Sequence, residues 1–287
     1  MLQHTKKRRT QGKTKPRRRG GKGCVLECSA MMMSRDEIQA KIAEFGPWFY
    51  EFDFGGGLRT RSAIPAAVTR IFETRLQMIS GVVEGYFGSR LPHSSCLDVG
   101  CHEGFYSIAM ARKGVRKITA VDVRESNLRK ARFAAAALGY PWIAFQQCNC
   151  EELRAENVGR HELTLFLGLL YHLENPMLCL RNISSVTGEL CIVETQVIDE
   201  VGGTAEWGAQ EWTRPYQGVL ALIDESGEFY SQNQETGSTP IATCPSPKAL
   251  EFMLRNAGFR KVEMVSPPPG AYEQHARGKR VVCAAYK

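Results

Sequence analysis

From Cys96 onward short apolar runs alternate with helical patterns, and this alternation constrains the fold more than any other feature. "CLDVG" precedes a helical pattern over Phe105–Arg112, and "ITAVDV" precedes one over Glu125–Leu138. "WIAFQQ" and "LTLFLGLL" follow, then a short helix at Pro176–Ile183 and a long strand, "ELCIVETQVI". Nearly uninterrupted apolar strands, each trailed by a helix, bury both faces of a parallel sheet. "SPKALEFMLRNAGF" reads as a further helix, capped by Ser246 and ended at Gly258. "KVEMVS" and "KRVVCAAY" read as two last strands around a proline-rich turn.

Upstream, "SRDE" makes a capping box of Ser34 and Glu37 for a helix to about Phe45, stopped by Gly46-Pro47. In "WFYEFDFGGGLRT", Trp48, Tyr50, Phe52 and Phe54 alternate with Phe49, Glu51 and Asp53. Period two predicts a strand and the triple glycine a tight turn. Pro65 to Gly88 predicts one amphipathic helix with Val68, Ile71, Leu76, Ile79 and Val83 on its apolar face. Residues 200–245 lose all periodicity but hold Trp207, Trp212, Tyr216, Phe229 and Tyr230, and read as an insertion or lid. The expected organisation is a basic disordered tail at 1–30, a helix and strand cap at 31–90, and the main α/β domain at 91–287.

The formal charge of +7 belongs to the tail. Residues 1–26 hold ten Lys and Arg and no acid, so the remainder carries 27 basic against 30 acidic residues. "KKRRTQGKTKPRRRGGKG" is too polar to order itself. It reads as a dispensable or non-native extension, alternatively as a nucleic-acid arm, and a start at Met31, Met32 or Met33 is a third reading. It matches neither a transit peptide nor a secretory signal. The ten cysteines form no CxxC pair and sit in apolar runs, as reduced thiols of a cytoplasmic protein do. No metal site is expected, the CVLEC spacing of Cys24 and Cys28 being a weak signal. No apolar run approaches the ~20 residues of a membrane span.

In open parallel sheets, ligands sit beyond the carboxyl ends of the strands, where strand order reverses. The first strand exit, "LDVGCHEGFYSIAMARKG", is therefore the place to look for a ligand. A dinucleotide turn uses GxGxxG and puts pyrophosphate on the helix N-terminus. Here the spacing is Gly100-x3-Gly104, with His102 between them and Asp98 just before, a carboxylate that would repel pyrophosphate. S-adenosylmethionine carries an ammonium and a sulfonium and no phosphate, so an acid near the turn suits it. Glycine there lets the backbone come close. Asp122, 22 residues after Gly100, ends the second strand where it can accept from both ribose hydroxyls. Asn149, Cys150 and Glu151 of "CNCEEL" follow the third strand and can border the adenine edge. A glycine turn that merely packs helix on strand would explain Gly104 but not the two acids.

With these residues in view, Cys96 to Lys287 resembles the class I S-adenosylmethionine-dependent methyltransferases, a Rossmann-like α/β fold. The resemblance implies a mostly parallel seven-stranded sheet, helices on both faces and an antiparallel final strand. Within the class the chain looks closest to the group that includes the tRNA wobble-uridine carboxymethyltransferase. The likeness rests on "LDVGCHEGFYS", "LFLGLLYHLENP", "IVETQVID" and "CPSPKALEFMLRNAGF". It implies cofactor contacts from Gly100, Asp122, Cys150, Glu151 and Leu167, and Tyr171 reaching toward the transferable group. The carboxymethyltransferase holds a carboxylated cofactor with an upstream Lys and with an Arg in a long segment before its last strand. No Lys here matches, and only "PPPGAYEQHARGK" with Arg277 joins the last strands. Ordinary S-adenosylmethionine is the expected donor.

Methyl transfer from a sulfonium needs donor and acceptor aligned at about 3 Å with water excluded. A hydroxyl or ring-nitrogen acceptor also needs a base with a near-neutral pKa. His172 is the first candidate base, its other reading being a local turn cap, and Tyr171 would orient the methyl or the acceptor. His102 reads as a residue of the cofactor turn, at its surface or over the methionine part. Glu194 and Gln196 end the fifth strand as candidates for the acceptor pocket. The near-neutral body argues for a small-molecule acceptor, and the N-terminal aromatic strand and the aromatic insertion read either as walls of its apolar pocket or as plain core. An RNA-modifying enzyme using the tail, and a cofactor-binding protein without chemistry, are the alternatives.

Overall fold

The computed structural model describes residues 33–206, 213–233 and 235–287. The basic tail, Cys24, Cys28, Trp207 and Trp212 lie outside them. Seven strands form the central sheet: β1 (Ser95–Val99), β2 (Lys117–Asp122), β3 (Ala144–Gln147), β4 (His161–Leu167), β5 (Thr187–Gln196), β6 (Lys261–Val265) and β7 (Arg280–Tyr286). Their order is β6-β7-β5-β4-β1-β2-β3. β1 to β5 pair in parallel, and β7 runs antiparallel between β5 and β6. Strand order reverses at β1, where Val99 lies beside Phe166 of β4 and Val121 of β2. That reversal opens the crevice predicted to hold the ligand.

Alternate residues of each strand feed opposite faces of the sheet. Leu163, Leu165, Leu190, Ile192, Val282 and Ala284 join one core, while Phe166, Cys191, Val193, Cys283 and Ala285 join the other. The first core is covered by α1 (Arg35–Phe45), α2 (Ala66–Phe87), α3 (Phe105–Arg112) and α4 (Glu125–Ala137). The second is covered by α5 (Pro176–Val186) and α6 (Pro247–Ala257). Ser34 caps α1 as a full capping box with Glu37, and Ser246 caps α6, which Gly258 ends in the left-handed region.

The aromatic segment after α1 departs from the expected strand. Ladder pairing is confined to Asp53–Gly55 with Leu58–Arg59, although Trp48, Tyr50 and Phe52 are buried as period two requires. Beyond an isolated bridge of Trp48 with Ser62 and the bond from Thr60 N to Phe52 O, side chains take backbone groups that a strand would have paired. The Glu103 carboxylate accepts from Phe49 N and Tyr50 N, and Thr60 Oγ1 bridges Tyr50 O and Phe52 N. Glu103, fully buried, also receives Lys130 Nζ at 2.9 Å, which fastens this segment to the turn after β1. Residues 200–245 contain a hairpin of Leu220–Asp224 with Ile241–Pro245 and a short helix, Ser226–Tyr230. Among the described residues no helix is long and apolar enough to cross a membrane.

Candidate active site

β1 ends at Val99 and the chain turns at Gly100, whose φ of +71° lies in the left-handed region. A Cβ there would be strained by that φ and would push on the end of the Leu169 side chain, Cδ2 at 2.8 Å, so glycine suits the bend beneath the loop after β4. Gly104, with φ +79°, starts α3, and a Cβ there would press on Ala131 and Phe145 at 3.1 Å. Gly104 therefore packs helix against neighbours, whereas Gly100 lines a cavity of about 390 Å³ at the sheet's carboxyl edge. That size is ordinary for a small-molecule site.

The cavity brings together most of the residues singled out from sequence: Gly100, His102, Asp122, Asn149, Cys150, Leu167, Tyr171, His172 and Gln196. Asp122 is buried, and its two oxygens accept from His102 N and Arg124 N, each at 2.9 Å. Those bonds fix the carboxylate at the cavity wall and leave further lone pairs for a ligand. His102, itself at φ +51°, lies over the Phe49 ring at 4.7 Å, and its Nε2 is 3.4 Å from Glu235 Oε1. Asn149 Oδ1 caps the next turn by accepting Glu151 N at 3.1 Å. The Cys150 thiol meets that of Cys179 at 2.9 Å.

Four predicted residues are not on the cavity wall. Gly104 and Asp98 lie behind it, and Asp98 is buried with its carboxylate accepting from Ser107 Oγ at 2.6 Å. Burial pushes the Asp98 carboxyl up to about 6, against the lowering effect of that hydrogen bond. Glu151 points to Asn175, whose Nδ2 it accepts at 3.2 Å. Glu194, expected at the acceptor, is fully buried and bound to three cations or potential cations. Arg75 Nη2 and Arg280 Nη1 each approach it at 3.0 Å, and His275 Nε2 lies at 3.3 Å. Burial would raise its pKa, but Arg75, the neighbouring His275 and Arg280 together hold it at about 2. Glu194 therefore acts on the cavity through the two arginines, which do line it.

His172 Nδ1 is 3.1 Å from Glu225 Oε1, from the segment after β5. Burial lowers the pKa of this imidazole, and Glu225 opposes that shift. Its ring lies 4.2 Å from that of Tyr171, whose hydroxyl accepts from Arg280 Nη2 at 2.9 Å. Arg277, considered from sequence, is exposed and paired with Glu273, so Arg280 is the basic residue of this segment that reaches the site.

Sequence reasoning missed Arg75, Arg280, Arg124, Glu225 and Glu235. Arg75 had a signal, because it sits four residues from both Ile71 and Ile79 on the buried stripe of α2. A charge on an apolar stripe demands a partner. The aromatic wall also differs from expectation. Phe49, Tyr50 and Phe72 line the cavity, whereas Tyr216, Phe229 and Tyr230 of the insertion do not. The insertion contributes Glu235 to Ser238 among the described residues, latched by Arg124 Nη2 to Thr236 O at 2.7 Å.

A doubly wound sheet with a glycine bend at its reversal point and an acid ending the second strand defines a Rossmann-like α/β protein. A methyltransferase-domain family model matches residues 91–237, and the chain belongs to that family. The ubiquinone biosynthesis O-methyltransferase of Aeromonas salmonicida (strain A449) is 30% identical over 117 residues, 41% of this chain and 46% of that one. The protein of the same name from Caulobacter sp. (strain K31) is 36% identical over 101 residues, 34% of this chain and 39% of that one. The chain thus spans less than half the length of these curated relatives. The N-terminal domain of EvdMO1, solved in the presence of SAH and D-fucose, superposes with a TM-score of 0.65 at 23% identity. That match covers 90% of this chain and 98% of that one, and at this identity it is a likeness of fold.

Proposed function

We propose that this protein transfers a methyl group from S-adenosylmethionine to an oxygen or nitrogen of a small molecule. The observation that carries the reading is the joint placement of Gly100 and Asp122 on one cavity wall. The donor set fits that cofactor: Asp122 offers lone pairs to a ribose diol, Asn149 and Cys150 border the space for a base, and Gly100 leaves room for the chain. Asp98, behind the bend, adds negative charge toward a cation. When bound, the cofactor supplies an electrophilic methyl group on a sulfonium.

The remaining work belongs to the chain's own residues. Phe49, Tyr50, Ile64, Val68 and Phe72 exclude water and hold an apolar acceptor. His172 takes the acceptor's proton at Nε2, with Nδ1 oriented by Glu225. Tyr171, held by Arg280, positions the group that receives the methyl. The names of the relatives support this reading, two being O-methyltransferases and the EvdMO1 domain having been solved with a sugar and SAH.

The likeness of Leu165–Pro176 to the wobble-uridine carboxymethyltransferase group supports kinship with that group, with ordinary S-adenosylmethionine as donor and no RNA needed. The described thiols, which form no disulfide, support a cytoplasmic location. Labelled-methyl transfer into extracted metabolites and extracted RNA tests the assignment. Label should enter the metabolite fraction and persist when residues 1–32 are deleted. A salt-sensitive signal in RNA that disappears with the tail would replace it. Asp122→Ala should weaken S-adenosylhomocysteine binding at least tenfold by calorimetry, and unchanged affinity would contradict the site.

A further inference from the structure

We infer that the acceptor is an apolar hydroxy acid whose carboxylate is received by Arg75 and Arg280. This inference deepens the methyltransferase reading and rests on it. Two guanidinium groups, Arg75 and Arg280, share one carboxylate, Glu194, and all three are buried. His275, the other neighbour of Glu194, brings no negative charge. The cluster therefore holds an excess positive charge away from water, a state that costs free energy until an anion arrives.

The donors are also incompletely used. Arg280 spends Nε on Gln274, Nη1 on Glu194 and Nη2 on Tyr171, three of the five N–H groups of a guanidinium. Arg75 meets Glu194 through Nη2, and its Nε is buried without a partner. Both arginines line the cavity. Gly168, at φ +68°, makes room for the approach, because a Cβ there would stand 3.3 Å from Arg75 Nη1. A planar carboxylate matches a guanidinium fork in shape as well as charge.

The rest of the acceptor follows from what surrounds this receptor. Ile64, Val68 and Phe72 line the same cavity, so the body between the polar ends is apolar. Tyr171 touches Arg280 through its hydroxyl, and its ring centre lies 4.2 Å from that of His172 at a tilt of 45°, so the proton acceptor lies one aromatic side chain away from the carboxylate receptor. A ring bearing a carboxylate at one end and a hydroxyl at the other spans that separation.

The test is calorimetry on the full chain with 3-hydroxybenzoate, 4-hydroxybenzoate and 4-hydroxyphenylacetate, each against its amide, with and without saturating S-adenosylhomocysteine. The best acid should bind at least tenfold more tightly than its amide. Arg75→Met removes the excess charge yet leaves Arg280 and Glu194 paired. It should reduce the preference to under threefold, with S-adenosylhomocysteine affinity unchanged, and Arg75→Lys should restore part of it. Amides as tight as acids in the native chain, or a preference that survives Arg75→Met, would overturn the inference. So would acids without preference combined with a carboxymethyl-sulfonium cofactor binding tenfold tighter than S-adenosylmethionine, since the receptor would then serve the donor. A retained acid preference with no S-adenosylhomocysteine heat would instead sink the methyltransferase reading and leave the carboxylate receptor standing.

Discussion

Arg280 donates Nη2 to the Tyr171 hydroxyl at 2.9 Å, and its guanidinium carbon stands 4.8 Å from the centre of the same ring. The start of β7 and the loop after β4, 109 residues apart in sequence, are thereby locked together on the cavity wall. A charge-assisted hydrogen bond of this kind contributes about 1.5–3 kcal/mol. Tyr171→Phe keeps the ring and loses the bond. Turnover should fall about ten- to a hundredfold while S-adenosylhomocysteine affinity stays within twofold. Equal losses in both measurements would mean that Tyr171 shapes the cofactor site rather than the reacting groups.

Glu194 anchors the same assembly from below. Its carboxyl is held at about 2, against an ordinary value of 4.5, so the folded state binds its proton less readily than the unfolded chain. The stabilisation is thus present above about pH 4.5 and is lost as pH falls toward 2, and it amounts to about 3 kcal/mol at order of magnitude. Glu194→Gln leaves Arg75 and Arg280 buried without their counter-charge, a loss of about 3–5 kcal/mol. Denaturant melts at pH 7 and pH 3 should show the gap between native and variant narrowing at the lower pH.

How far these residues were legible depends on how local their signals are. The places of Gly100 and Asp122 on the cavity wall could be read because turn, strand end and spacing all lie within one βαβ unit, whereas Asp98 of the same unit lies behind that wall. The Ser246 and Ser34 caps were legible for the same reason, a cap being decided within four residues. Glu194 was misplaced because its partners come from α2, β7 and the short helix Glu273–Ala276, which no sequence window connects. The strand expected over Trp48–Phe54 failed on similar grounds. Period two reported burial correctly, but Glu103, some fifty residues away, supplied the hydrogen bonds that decide whether a ladder forms.

His172 should show its role in the pH dependence of turnover. Burial lowers its pKa below the usual 6.5, with Glu225 pulling the other way. As the base it must be neutral, so kcat should rise through a pKa below 6.5 and stay level above it. Glu225→Gln removes the opposing charge, which should move that limb further toward acid and reduce the plateau, a weaker base being a poorer proton acceptor. His172→Ala should cut turnover at least a hundredfold with cofactor affinity unchanged. A native rate in that variant would return His172 to the part of a turn cap.

Asp98 makes a separate prediction about the cofactor. It does not line the cavity, yet it is buried behind the Gly100 bend with a carboxyl raised by burial to about 6 from an ordinary 3.8. In the free protein the folded state therefore holds this proton more tightly than the unfolded chain does. Stability from this group is greatest below about pH 4 and declines as pH rises through 6, by about 3 kcal/mol at order of magnitude. A cation docking at the bend favours the ionised form and lowers that pKa. Binding of S-adenosylmethionine near pH 6 should then release a fraction of a proton and weaken steadily as pH falls below 6. Calorimetry in two buffers of different ionisation enthalpy measures the release directly. Asp98→Asn should abolish it and flatten the pH dependence, and an unchanged proton count in that variant would assign the linkage to another group.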